Sequence, residues 1–238
     1  MIGPTNVLPF ALIAVPPEGE QLAGFVERYA RAICERVLPS LSLTFEERQE
    51  LTRQDLEIHE QINRDAWKYE LGTEGYGEYA NPGDSFGTGF EVTNYAEMEA
   101  QVLQMHVLGL AFAGLFHIFE RQVVMILHRL DHRRNRTVLR LVSEKERHNF
   151  AGYKKLLEIG GTPISGAIGT DIERLRLIAN VMKHGSAHAI RTLHKAFPDL
   201  FWLGSHTISI DSMLLTPDLL MSSAGSIARF WRAFPTHD

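Results

Sequence analysis

A chain of 238 residues, 45% hydrophobic and 22% charged, is long enough to bury a substantial apolar centre as one body or as a core with a smaller appended element. Its single cysteine, Cys34, excludes a disulfide scaffold and a Cys-based zinc pattern, and fits a reducing, cytoplasmic setting. The formal net charge of −5 hides a division: up to Glu120 the chain carries 19 acids and 7 bases, and beyond it 10 acids and 17 bases.

The opening run Val7 to Pro16 is apolar but short, proline-bearing and without a basic flank, which fits a packed arm better than a secretory leader. Leu22, Phe25, Val26, Tyr29, Ile33 and Val37 stand at helical spacing and predict a helix over Glu18 to Leu41, ended by Pro39. Thr44 to Glu47 has the capping-box pattern, and Phe45, Leu51, Leu56, Ile58, Ile62 and Trp67 continue a second, strongly acidic helix to about Tyr69. Gly72 to Gly89 holds six glycines and Asn81-Pro82-Gly83, so a long irregular loop is expected. These glycines form no dinucleotide or phosphate-loop fingerprint.

Thr93 or Asn94 can cap a long helix reaching about His132, whose Gly109, Ala111, Ala113 and Gly114 would admit close neighbours. Its apolar run, Met105 to Phe119, is below spanning length and carries His106 and His117, so it reads as a buried core helix and not as a membrane segment. Ser143-x-x-Glu146 is expected to open a helix to Ile159, broken by Gly160-Gly161-Thr162-Pro163. Thr170-x-x-Glu173 is expected to open the next, running toward Phe201 with Pro198 as its stop and Gly185 as a point of interruption. Thr207 to Asp211 alternates like a short strand, and Thr216-Pro217 resembles a cap followed by proline at the first helical position of a last helix to about Phe234. The fold class expected is all-α, a helical bundle with at most one short strand-like segment. Residues 1–92 are expected as an acidic helical region with its Gly-rich loop and 93–238 as the helical core, the two making one compact unit.

At about 100° per residue, Arg176, Asn180, Lys183 and His184 share a ~100° arc, opposite Leu175, Leu177, Ile178, Val181 and Met182. A guanidinium, an amide and an ammonium suited to an anion thus stand with an imidazole, the side chain whose unperturbed pKa lies nearest neutrality. Glu120 interrupts the apolar run from Leu115, where an unpaired carboxylate is costly, so Arg176 or Lys183 is its expected partner and orienting His184 its sharper role. Arg129, Arg133, Arg134, Arg136 and Arg140, with Lys145 and Arg147, form a basic neighbourhood fit for phosphate backbones or, equally, for a salt-bridged solvated helix end. His106, His117 and His128 recur every eleven residues, ~16 Å apart on a helix, so they share no metal and are expected as hydrogen-bonded interior or interface residues. His128/His132 and His184/His188 have the i,i+4 spacing of zinc ligands, but neither is HExxH, and no metal or cofactor is expected. No GxSxG, Cys-His or DxD-type cluster supports a hydrolase triad or a magnesium site.

The helix with FHIFERQ around Glu120 and the later RLRLIANVMKHG resemble the HEPN superfamily over roughly Tyr95 to Phe201. That resemblance implies an all-α homodimer of the kind found in prokaryotic toxin and antiphage systems, with RNA as substrate and a protein antitoxin or defence component as partner. It also implies a metal-independent ribonuclease site built from an Arg and a His four to six residues apart on one helix. His184 matches the family histidine, and Arg176 is the nearest arginine N-terminal to it on this helix. Seven residues separate them, and Ala179 occupies the place before Asn180 where the family arginine stands, leaving Lys183 as a substitute cation. Arg53/His59 and Arg121/His128 share the loose spacing without the NxxKHG context. The alternative is a non-catalytic helical interaction module in which Arg176, Asn180, Lys183, His184 and Glu120 form a satisfied buried network.

Overall fold

The computed structural model describes residues 18–42, 46–47, 50, 53–54, 57–58, 60–61, 84–133, 137–202 and 208–234. Among these the fold is all-α: six helices of ten residues or more and no strand. The helices are α1 (Glu18–Ala32), α2 (Asp84–Arg133), α3 (Phe150–Ile159), α4 (Gly166–His184), α5 (Ala187–Ala196) and α6 (Pro217–Ala233). The chain divides into two compact units, one of Met1–Arg36 with Val107–Asp238 and one of Val37–His106.

In the first unit the core forms along α2, where Phe112, Leu115, Phe119, Val123, Ile126, Leu127 and Leu130 recur at three- and four-residue spacing and are buried. α6 brings Phe230 and Trp231 edge-on to Phe119, with ring centroids 5.5 and 5.9 Å away, and α3 sets Phe150 5.2 Å from Phe116. α1 lies against α6, where a Cβ on Gly19 would meet Trp231 O, and Ala23, Val26 and Ala30 of α1 are buried; α4 packs on both α5 and α6. The small-residue stretch of α2 does admit close neighbours. A Cβ on Gly114 would collide with the Tyr29 hydroxyl, which donates to Ala111 O at 3.2 Å, and one on Gly109 with the Met182 methyl.

Helix ends follow local chemistry, and several differ from the expected positions. α1 runs into a π-helical turn at Ile33–Val37 and a short turn at Leu38–Ser40, so the helical run stops just after Pro39, as predicted. Ser143 does donate from its backbone and hydroxyl to Glu146 (2.9 and 2.6 Å), but this closes only the 3-10 turn Glu146–His148. The extended Asn149 (φ −140°) breaks the chain there, and its side chain caps α3 by accepting from Gly152 N at 2.9 Å. α4 begins at Gly166 and not at Thr170, whose hydroxyl donates back to Gly166 O at 3.2 Å. A residue already inside a helix bonds to the preceding turn and has no free first-turn amides to cap. Gly185, at φ 58°, ends α4 in the left-handed conformation, and Ser186 caps a separate α5, so the stretch from Thr170 to Phe201 is two helices and not one. Pro198 does follow directly on the end of α5.

The strand expected over Thr207 to Asp211 is absent from the described part of it. Thr207 lies outside the described residues, Ile210–Ser212 is a 3-10 turn, and the local pairing is one isolated bridge between Phe201 and Met213. The last helix matches its expected start, with the Thr216 hydroxyl accepting from Leu219 N at 3.1 Å and Pro217 at the first position.

In the second unit, Gln104 Nε2 donates to Ser42 Oγ at 2.6 Å and to Leu38 O at 3.5 Å. The described positions of the acidic segment between Glu46 and Gln61 are helical, and Arg53 there pairs with Glu50 and Glu57; its expected cap Thr44 lies outside the described residues. Of the expected loop Gly72 to Gly89, residues 72–83 also lie outside, but Asp84 onward is helix, nine residues ahead of Thr93. Gly87 and Gly89 weaken a helix by about 1 kcal/mol each relative to alanine without terminating it. The α2 segment Met98–Arg133 is longer than the apolar run Met105 to Phe119 and is, by length and composition alone, sufficient to cross a bilayer. Core helices of soluble proteins meet the same criterion, and the buried face of α2 is the core described above.

Candidate functional site

The polar edge of α4 follows from its packing. Ile172, Leu175, Leu177, Ile178, Ala179 and Val181 are buried, which leaves Arg176 and Asn180 half-buried and Lys183 and His184 exposed in the last turn. A cation at the C-terminal end of a helix is favoured by the helix dipole, and this accounts for Lys183 without any ligand. Arg176 donates from Nε and Nη2 to the two oxygens of Glu173, at 2.8 and 2.7 Å. The Glu173 bond raises the guanidinium's pKa while partial burial opposes it. Eight residues of helix put Arg176 and His184 about 12 Å apart along the axis, too far to grip one phosphate within one chain. Ala179 is 4% exposed, so an arginine there would carry its charge into the core.

Glu120 does not meet Arg176 or Lys183. Its carboxylate lies 3.5 Å from His117 Nδ1, one turn earlier on α2, and its side chain is 27% exposed, so water relieves the desolvation on which the expectation of a distant partner rests. It also faces Tyr153 of α3, whose phenol is pushed up first by burial and then by that carboxylate. His106, His117 and His128 are exposed in the single chain, which removes the interior placement and leaves the interface one open. Arg129, Arg133 and Arg140 are exposed as well, while Arg134 and Arg136 lie outside the described residues. Arg147, from the same neighbourhood, is structural: its Nε donates to Leu139 O at 2.7 Å. Among the described residues no group of three His, Cys, Asp or Glu side chains stands close enough to hold a metal ion.

No family model, curated protein or solved structure matches this chain. The site therefore rests on its own geometry.

Three features were not legible in the sequence. One is a cleft of about 650 Å³ at the start of α4, where Ser165, Gly166 and Thr170 face Lys154 and Phe197. Another is a groove of about 600 Å³ between α1 and α2, lined by Leu22, Phe25, Arg28, Ile118 and Arg121. Neither is lined by Arg176, Asn180, Lys183 or His184. The third joins α4 to α6: Asp171 accepts from the Ser226 hydroxyl at 2.5 Å, Arg229 donates to the same hydroxyl at 2.7 Å, and Arg174 lies 3.7 Å from Asp171 and over the Phe197 ring. The partners come from segments 55 positions apart, so spacing within one helix carries no signal of them.

Proposed function

We propose that the exposed end of α4 is an RNA-contacting surface and that the protein is a HEPN-like, metal-independent endoribonuclease acting as a homodimer. The observation that carries this reading is the exposure of His184 and Lys183 side by side at the end of α4, against the left-handed Gly185. His184 takes the proton of a ribose 2′-hydroxyl, the freed oxygen attacks the adjacent phosphorus, and the 5′-oxygen leaves with a proton given by the protonated His184 of the second copy, giving a 2′,3′-cyclic phosphate and a 5′-hydroxyl end. Lys183 stabilises the charge on phosphorus, since Arg176 is held by Glu173. Asn180 positions the phosphate, and exposed Arg129, Arg133 and Arg140 supply backbone attraction. A second copy brings another His184 to complete the site, and a protein antitoxin or defence partner is the implied regulator.

The test is incubation of purified protein with RNA in EDTA. Cleavage with cyclic-phosphate ends, slowed roughly 100-fold or more by His184→Ala, supports the reading. Cleavage unchanged by that substitution, or absent altogether, removes catalysis. RNA retention that falls when Arg129, Arg133 and Arg140 are reversed to Glu, without cleavage, leaves a binding protein. The second reading, a non-catalytic interaction module, is favoured by the Arg176–Glu173 pair, which satisfies that guanidinium inside the helix; it is the one that remains if RNA is neither cut nor bound.

A further inference from the structure

The groove between α1 and α2 combines a mainly apolar lining with two arginines that no carboxylate among the described residues balances. Leu22, Phe25 and Ile118 line it, and Phe25 is 50% exposed although it belongs to the apolar stripe of an amphipathic helix. Arg28 and Arg121 stand at its sides, both exposed. The nearby carboxylates are engaged elsewhere: Glu20 and Glu27 accept from Arg232 at 3.0 and 2.8 Å, and Glu120 lies by His117. Gln122, at the groove floor, has its amide committed to Trp231 Nε1 and to Leu22 O, so it offers a ligand little. Arg28 lies close on the surface of α1, with Nη1 3.1 Å from where a Cβ on Gly24 would stand.

We propose that this groove binds a small organic anion with an apolar body, a long-chain carboxylate, with its head between Arg28 and Arg121 and its chain over Leu22, Phe25 and Ile118. A volume of about 600 Å³ is in the range of small-molecule sites and is small for a docked helix. Leu22, Phe25 and Ile118 suit a hydrocarbon chain, whereas a nucleotide's base edges and sugar hydroxyls would have Gln21 as their one uncommitted amide in the lining, Gln122 being bonded to Trp231 and Leu22. Two guanidiniums beside an apolar surface supply the carboxylate with charge-assisted donors. The inference is independent of the ribonuclease reading, because none of its residues belongs to the α4 edge.

Titration calorimetry with dodecanoate below its micelle concentration tests it. Saturable binding at one site is expected, at least tenfold tighter than for butyrate or for dodecyltrimethylammonium. Arg28→Gln and Arg121→Gln each weaken dodecanoate roughly tenfold. Phe25→Ala weakens it too, His184→Ala leaves it unchanged, and the far-ultraviolet circular dichroism of the exposed-arginine variants stays native. Equal affinity for the cationic amphiphile, indifference to both arginine substitutions, adsorption to anionic vesicles without binding of the monomeric carboxylate, or displacement of dodecanoate by oligonucleotide would each overturn the assignment.

Discussion

Gln122 is buried on α2 and uses both ends of its amide, accepting from the Trp231 indole at 2.7 Å and donating to Leu22 O at 3.4 Å. Gln122→Leu keeps the volume but strands a buried indole N–H, so a loss of about 1–3 kcal/mol in denaturant unfolding is expected. A change within a few tenths of a kcal/mol would mean that water reaches the indole. Nothing in the local sequence predicts this bond, because its partners are 109 positions apart. Arg176 and Glu173 are the opposite case, a one-turn pair visible in the spacing. Arg176 meets Glu173 and Glu120 meets His117 one turn away on their own helices, where i,i+3 spacing already brings the side chains together, and the expected long-range pair did not form.

Among the elements, the short capping pattern was informative at Thr216-Pro217 and misleading at Ser143 and Thr170. A cap needs an extended backbone ahead of free amides, and Ser165, Asn149, Ser186 and Thr216 have it. Thr170 lies within the helical run and does not. The other boundary device is Gly185 at φ 58°. Gly185→Ala forces a Cβ into the left-handed region and is expected to lower stability by about 1–2 kcal/mol, with Gly185→Asn costing less. Thermal melts of the two variants check the order, and an alanine variant as stable as the parent would show that α4 continues through this point without the left-handed turn. The same residue sets where His184 stops being helical surface, so element geometry and the proposed site meet there.

At the scale of the molecule, α1 and α6 are tied by Arg232, whose guanidinium reaches both Glu20 and Glu27 across more than 200 positions. The hydrogen bond from Arg232 holds the Glu27 carboxyl below its ordinary value of 4.5, burial works the other way, and the charges of Arg232 and Arg31 add to the lowering. A depressed carboxyl stabilises the fold above its unfolded value and loses that contribution as pH falls through its folded one. Glu27→Gln is therefore expected to lower the melting temperature at pH 7, with the gap to the parent closing as the pH is taken below 4.5. A gap that is the same at pH 7 and well below 4.5 would show that the ion pair is not its source.

The helical class, the core role of α2, the close approach at Gly109 and Gly114 and the polar edge of α4 were determined by the sequence itself, since each depends on residue spacing along one helix. Tertiary structure alone decided which polar groups found partners and which surfaces stayed open. The α1–α2 groove, the Asp171–Ser226–Arg229 network and the exposed histidines of α2 arise where segments distant in the chain meet or fail to cover one another. Periodicity reports the face a helix turns inward, but the identity of the residue it meets there is set by packing between helices.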